Sequence, residues 1–90
     1  MTKLSVDSMI VKDQALKRQR GIKPYDEAIR RQPQSASAYK KRGQVYYSFG
    51  HHRLSIQDYN EAIQIDPQDV LAYNDRGAAY HQLSQLGMAD

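Results

Sequence analysis

The pattern Tyr39, Arg42, Gly43, Tyr46 returns as Tyr73, Arg76, Gly77, Tyr80, a displacement of 34 residues. The same displacement carries Tyr25, Glu27, Ala28, Ile29 and Pro33 onto Tyr59, Glu61, Ala62, Ile63 and Pro67. With Gln34/Gln68 and Ala38/Ala72, residues 25–56 and 59–90 share 11 identities in 32 aligned positions. A period of this size means that each unit is one supersecondary motif, unable to bury its apolar face alone and obliged to stack on a neighbour. Chains built this way mostly work by presenting a surface.

Within the unit the spacing is helical. Tyr39, Gly43, Tyr46 and Phe49 fall at steps of four, three and three, one apolar stripe that predicts a helix over 36–49. Ser35 is placed to cap its start, and Asp69, one repeat later, belongs to the same capping class. Gly50 suits the left-handed position that ends a helix. A second helix is expected at roughly 53–65, with Ile56, Tyr59, Ala62 and Ile63 inward, until Asp66-Pro67 stops it. From Asp69 the cycle restarts, with Ala72, Tyr73, Gly77, Tyr80 and Leu83 as the third stripe.

The expected core is therefore Tyr39, Gly43, Tyr46, Tyr59, Ala62, Ile63, Tyr73, Gly77 and Tyr80. A glycine inside a helix costs about 1 kcal/mol relative to alanine. A repeated one on the apolar stripe predicts close approach of the neighbouring helix, with Ala62 as the small facing residue.

Helix, glycine turn, helix and proline turn at a period of 34, with the aromatic-x-x-x-Gly-x-x-Tyr spacing and a downstream alanine, resemble tetratricopeptide repeats, in the short bacterial type or a fragment of one. The likeness covers 36–69 as a full repeat, 70–90 as a truncated one, and 22–35 as the end of a degenerate one. Tyr39 and Tyr73 stand where the family often has tryptophan, and Ser55 where it usually has alanine, which Ala89 restores. Arg42 and Arg76 stand where it often has leucine, so their stems are expected to pack while the guanidinium reaches a carboxylate. The resemblance implies an all-α superhelix of about two and a half hairpins, whose first helices line a concave groove.

Two regions depart from this pattern. Residues 1–21 lack the repeat signature, although Val6, Met9, Ile10 and Leu16 fit one side of a helix that would cap the stack. Gly21-Ile22-Lys23-Pro24 is expected to break any helix running into Tyr25, with Pro24 in the first turn of a new one. At the other end, the partner of the helix 70–83 is cut short at Asp90, which predicts an uncovered stripe and self-association unless residues 1–20 fold back as a cap.

Composition excludes several classes of chemistry. The absence of cysteine removes disulfides, thiolate zinc sites and a cysteine nucleophile together. Among the histidines, His51-His52 and His81 carry no metal-ligand spacing, and His52 falls where the family places an aromatic. No nucleophile, base and orienting group assemble on a helical hairpin, and no glycine-rich phosphate loop is present. Neither catalysis nor a cofactor is expected. No basic-then-apolar leader or bilayer-length apolar run is present, so no membrane is expected and the cytoplasm is the default compartment.

The net charge of +3 conceals a split: residues 1–45 carry eleven Lys/Arg against four Asp/Glu, and residues 46–90 two against six. Lys17, Arg18, Arg20, Lys23, Arg30, Arg31 and Lys40-Lys41-Arg42 raise a nucleic-acid reading, but most tyrosines lie on packing stripes rather than free to stack on bases. Nucleic acid is the least favoured partner.

The groove is the favoured one. The face implied by the resemblance holds Lys40, Gln44 and Tyr47 from one repeat and Leu71, Asn74 and His81 from the next, with Ser37, Ser48, Ala78 and Gln82 beside them. These mixed polar and aromatic groups suit a peptide or partner helix. Lys40 and Gln44 imitate part of the carboxylate clamp of chaperone-binding relatives, but the acidic Asp75 stands where the clamp needs asparagine. The expected function is a protein-interaction module, with a self-assembling homodimer as the alternative.

Overall fold

The computed structural model describes the backbone of residues 2–87 and the side chains of residues 12–87. It contains four α-helices: α1 (Thr2–Arg31), α2 (Ala36–Ser48), α3 (His52–Ile65) and α4 (Val70–Gln85). Each packs on the next, and α2 also touches α4. The all-α fold is a set of packed helical hairpins, joined by turns too short for anything but near-antiparallel neighbours.

Local chemistry sets the boundaries. The Ala38 backbone N–H donates to Ser35 Oγ at 3.2 Å, and those of Leu71 and Ala72 donate to Asp69 Oδ1 at 3.0 and 3.3 Å. Both inter-repeat turns close in the same way, Ser35 N–H to Gln32 O at 3.0 Å and Asp69 N–H to Asp66 O at 3.3 Å. Gly50 has φ +79°, which lets α2 end there without a Cβ clash. The counterpart on α4 is Gly87, at φ +70°, so α4 runs one turn further than the repeat register.

The break expected at Gly21–Pro24 does not occur: α1 is continuous through Pro24. An interior proline costs roughly 3 kcal/mol through its missing N–H and its ring. Packing on α2 offsets this: Ile22 is buried, and a Cβ on Gly21 would lie 3.1 Å from Val45 Cγ1. Arg18 Nη1 donates to His51 Nε2 at 2.7 Å, tying α1 to the start of α3. The expected side formed by Val6, Met9 and Ile10 lies outside the residues whose side chains are described, and Leu16 is exposed.

The core gathers Ile56 and Tyr59 of α3 with Ala79 and Leu83 of α4, and Tyr47 packs against them. Gly43, Tyr59 and Ala62 are buried as the periodicity predicts, whereas Tyr39, Tyr46 and Ile63 are only partly covered. Tyr73, Gly77 and Tyr80 are exposed, contrary to expectation; of the expected stripe α4 buries Ala72 and Leu83, and Ala79 joins them. The cause is packing on one side only. Helix α2 lies between α1 and α3, but α4 has α3 and the edge of α2 on one flank, so among the described residues no helix covers its tyrosine stripe.

The two mid-helix glycines also part company. A Cβ on Gly43 would sit 2.7 Å from Tyr59 Cε1 and 3.2 Å from Ser55 O, so the close approach is real, made by Tyr59 and Ser55 rather than by Ala62. A Cβ on Gly77 would meet nothing within 4 Å.

Arginine follows the same divergence. Arg42 forks onto Asp58, with Nε and Nη2 at 2.8 and 2.7 Å from its two oxygens, while Nη1 reaches Asp26 at 2.9 Å. Its guanidinium also stands 5.6 Å from the centre of the Tyr39 ring and 5.9 Å from that of Tyr46. One repeat later Arg76 Nη1 donates to Asn60 at 2.9 Å and lies 5.3 Å from the Tyr73 ring, but no described carboxylate pairs with it.

Candidate functional site

Helices α2 and α4 carry residues one period of 34 apart, and side chains of both meet along a shallow channel. Lys40 Nζ lies 2.6 Å from Asp69 Oδ2, joining α2 to the N-terminal cap of α4. One turn along, Gln44 Nε2 donates to Asp75 Oδ2 at 3.1 Å. Beyond this rung the channel opens into a recess of about 170 Å³ lined by Gln44, Tyr47, Tyr59, Asp75 and Ala78. Tyr47 is held edge-on to His52, with ring centres 5.0 Å apart, so a fixed aromatic forms one wall.

Of the residues expected in the groove, Gln44 and Tyr47 line this recess, and Lys40 stands beside it, engaged by Asp69. Leu71, Asn74 and His81 are exposed on α4, at helical spacing with Asp75 and Ala78 but outside the recess wall. His81 faces Gln85, at 3.5 Å between Nε2 atoms. Two contributions escaped the sequence reading. Tyr59, assigned there to the core alone, also reaches the recess, and Asp69 takes up the charge of Lys40. The residue types gave no signal for either, since both depend on how far the two hairpins approach.

Electrostatics distinguish the two rungs. The hydrogen bond from Lys40 holds the Asp69 carboxyl below the usual carboxylate range; the N–H groups of Ala72 and Leu71 add to this, and desolvation opposes it. A depressed carboxylate contributes stability that is complete above its unfolded value of about 4 and is lost as pH falls through the lower folded value. Thermal melting between pH 5 and pH 2 should therefore show an acid-induced fall that is smaller in Asp69→Asn, which keeps a capping oxygen but cannot ionise. Equal falls in both proteins would remove the Lys40–Asp69 pair as a titrating contact. Burial pushes the Tyr59 hydroxyl upward, and Asp75, Tyr47 and Asp58 reinforce it, so this group is neutral in the recess.

Basic residues of the first half are partly neutralised by the fold. Lys17 pairs with Asp13 at 3.2 Å, Lys40 with Asp69, and Arg42 with Asp58 and Asp26. The remaining basic surface is smaller than the sequence suggests, and of the rings in the recess Tyr47 is packed against His52 and the core. Among the described residues no group of three His, Cys, Asp or Glu is arranged to hold a metal ion. His51 and His52 diverge instead, the first edge-on to Tyr46 and the second to Tyr47, as the aromatic position of His52 predicts. No described helix is long and apolar enough to cross a membrane.

This geometry defines a class: an all-α helical-repeat module with a recess between first helices. Residues 50–84 match the family model described as TPR repeat, so the chain carries a tetratricopeptide repeat across α3 and α4. No curated protein and no solved structure matches the chain. A TPR repeat places the chain among protein-interaction modules in general.

Proposed function

We propose that the chain is a non-enzymatic interaction module that takes a peptide or partner helix along the α2–α4 channel. The observation that carries this is the recess itself: an aromatic wall from Tyr47 and Tyr59, a small apolar wall from Ala78, and the carboxylate of Asp75. Asp75 receives one hydrogen bond from Gln44, and a carboxylate has capacity for several more. The matching ligand presents an apolar side chain to the rings and a cationic or amide donor to Asp75. A C-terminal carboxylate is disfavoured, because it would meet a like charge.

Leu71 and Asn74 extend the channel on α4 and are exposed, so they test contact without disturbing the core. In capture experiments from source cells, Leu71→Glu and Asn74→Arg should lose partners that the wild type retains. Gln57→Glu, on the exposed side of α3, should retain them. Equal partner recovery by all four proteins, with melting temperatures unchanged, would place binding elsewhere.

A further inference from the structure

A buried tyrosine hydroxyl usually finds a hydrogen-bond partner. That of Tyr59 does not. The residue is 1% exposed and lines the α2–α4 recess, yet among the described residues its hydroxyl makes no hydrogen bond. Of the described polar side-chain atoms sealed from solvent, only His52 Nδ1 lacks a partner, so the Tyr59 hydroxyl is open to the recess rather than walled off. Its ring is held over Gly43, which presets where the hydroxyl stands. Two further acceptors share the recess. Asp75 receives Gln44 Nε2 on Oδ2 at 3.1 Å, and neither Asp75 Oδ1 nor Gln44 Oε1 has a partner among the described residues. The lining residues Gln44, Tyr47, Tyr59, Asp75 and Ala78 include one carboxylate and no cation, and the neighbouring Lys40 is held by Asp69 at 2.6 Å.

We propose that this recess takes one unmodified lysine side chain of the partner segment, its aliphatic stem against Tyr47 and Ala78 and its ammonium against Asp75 and the Tyr59 hydroxyl. The inference rests on the channel reading above and names what the channel selects. Size comes first: about 170 Å³ is well below the roughly 300 Å³ at which small-molecule pockets begin, so the recess accommodates a single side chain. Donor count comes second. An ammonium carries three donors and no acceptor, and the recess offers three separate acceptors in Asp75 Oδ1, Tyr59 Oη and Gln44 Oε1. A guanidinium is matched best by both oxygens of one carboxylate, and Gln44 already occupies Asp75 Oδ2. An amide brings no charge to the carboxylate. Asp75 and Tyr47 both reinforce the upward shift of the Tyr59 hydroxyl, which places the three groups in one small space. Acetylation of the incoming lysine removes its charge and so switches recognition off.

The test is selection of a displayed library of random peptides on the intact chain, keeping those whose binding Leu71→Glu abolishes. These peptides should share a lysine. In synthetic copies, acetylating that lysine should weaken binding by about tenfold, and replacing it by arginine by about threefold. Asp75→Asn should cost the unmodified peptide about tenfold and leave the acetylated one nearly unchanged, a coupling that a merely structural role of Asp75 does not produce. Tyr59→Phe should weaken binding by about fivefold with no fall in melting temperature, since the lost hydroxyl bonds nothing in the free protein. Channel-dependent peptides without a common lysine, affinity indifferent to acetylation or to Asp75→Asn, or equal binding of the lysine and arginine forms would each overturn the lysine assignment while the channel reading stands. Identical peptides selected by wild type and Leu71→Glu would instead overturn the channel reading, and the lysine assignment with it.

Discussion

Arg42→Ala should destabilise the protein by about 3 kcal/mol, while Arg76→Ala, the same substitution one repeat later, should cost less than about 0.5 kcal/mol. The side chain of Asp58 is 5% exposed and that of Arg42 21%, so removing the guanidinium strands a desolvated carboxylate beneath α2. Breaking a buried pair costs about 3–5 kcal/mol, and the residual exposure of Arg42 argues for the lower end of that range. The Asp58 fork also raises the guanidinium above its already high range against the opposing effect of burial, with Asp26 contributing further, so the charge is fixed at every working pH. Among the described residues Arg76 has only Asn60 and the Tyr73 face, both at the surface. Replacing both members of the buried pair, as Arg42→Met/Asp58→Leu, should recover most of the loss because no charge is left unpaired. Urea unfolding of the four proteins checks all of this. Equal losses for Arg42→Ala and Arg76→Ala would show that the pair contributes no more than a surface contact.

Gly43→Leu should lower stability by roughly 1–3 kcal/mol through overpacking, and Gly77→Ala should raise it by about 0.5–1 kcal/mol. The two glycines occupy the same repeat position and carry the same helix-propensity cost, so packing alone separates them. Above Gly43 stand the ring of Tyr59, which is 1% exposed, and the backbone oxygen of Ser55. Neither is the free end of a flexible side chain, so a new side chain there must displace α3. Above Gly77 there is open space, and the alanine methyl brings only its better helix propensity. Melting curves of opposite displacement would confirm the contrast. A Gly43→Leu curve that coincides with the wild type would show that α3 yields freely.

Sequence determined the elements and their chemistry. The period of 34 fixed the repeating unit, and the Ser35 and Asp69 caps, the Gly50 turn and the Asp66-Pro67 stop are local properties, set by side chains within four residues of where they act. The carboxylate reached by Arg42 was legible as well, because a charged group on an apolar stripe must find an opposite charge. Gln44 and Tyr47, expected on one face from the family resemblance, both line the recess, while the rung from Lys40 to Asp69 spans 29 residues and was not legible. Only the tertiary structure decided which copy of a repeated residue is buried. Tyr39 and Tyr73, Gly43 and Gly77, Arg42 and Arg76 are indistinguishable in sequence, but among the described residues the first of each pair lies in a helix flanked on two sides and the second in a helix flanked on one. It decided the course of α1 in the same way. Gly21 and Pro24 act on the backbone locally and argue for a break, but the burial of Ile22 and the Arg18–His51 bond come from helices distant in sequence, and they outweigh it.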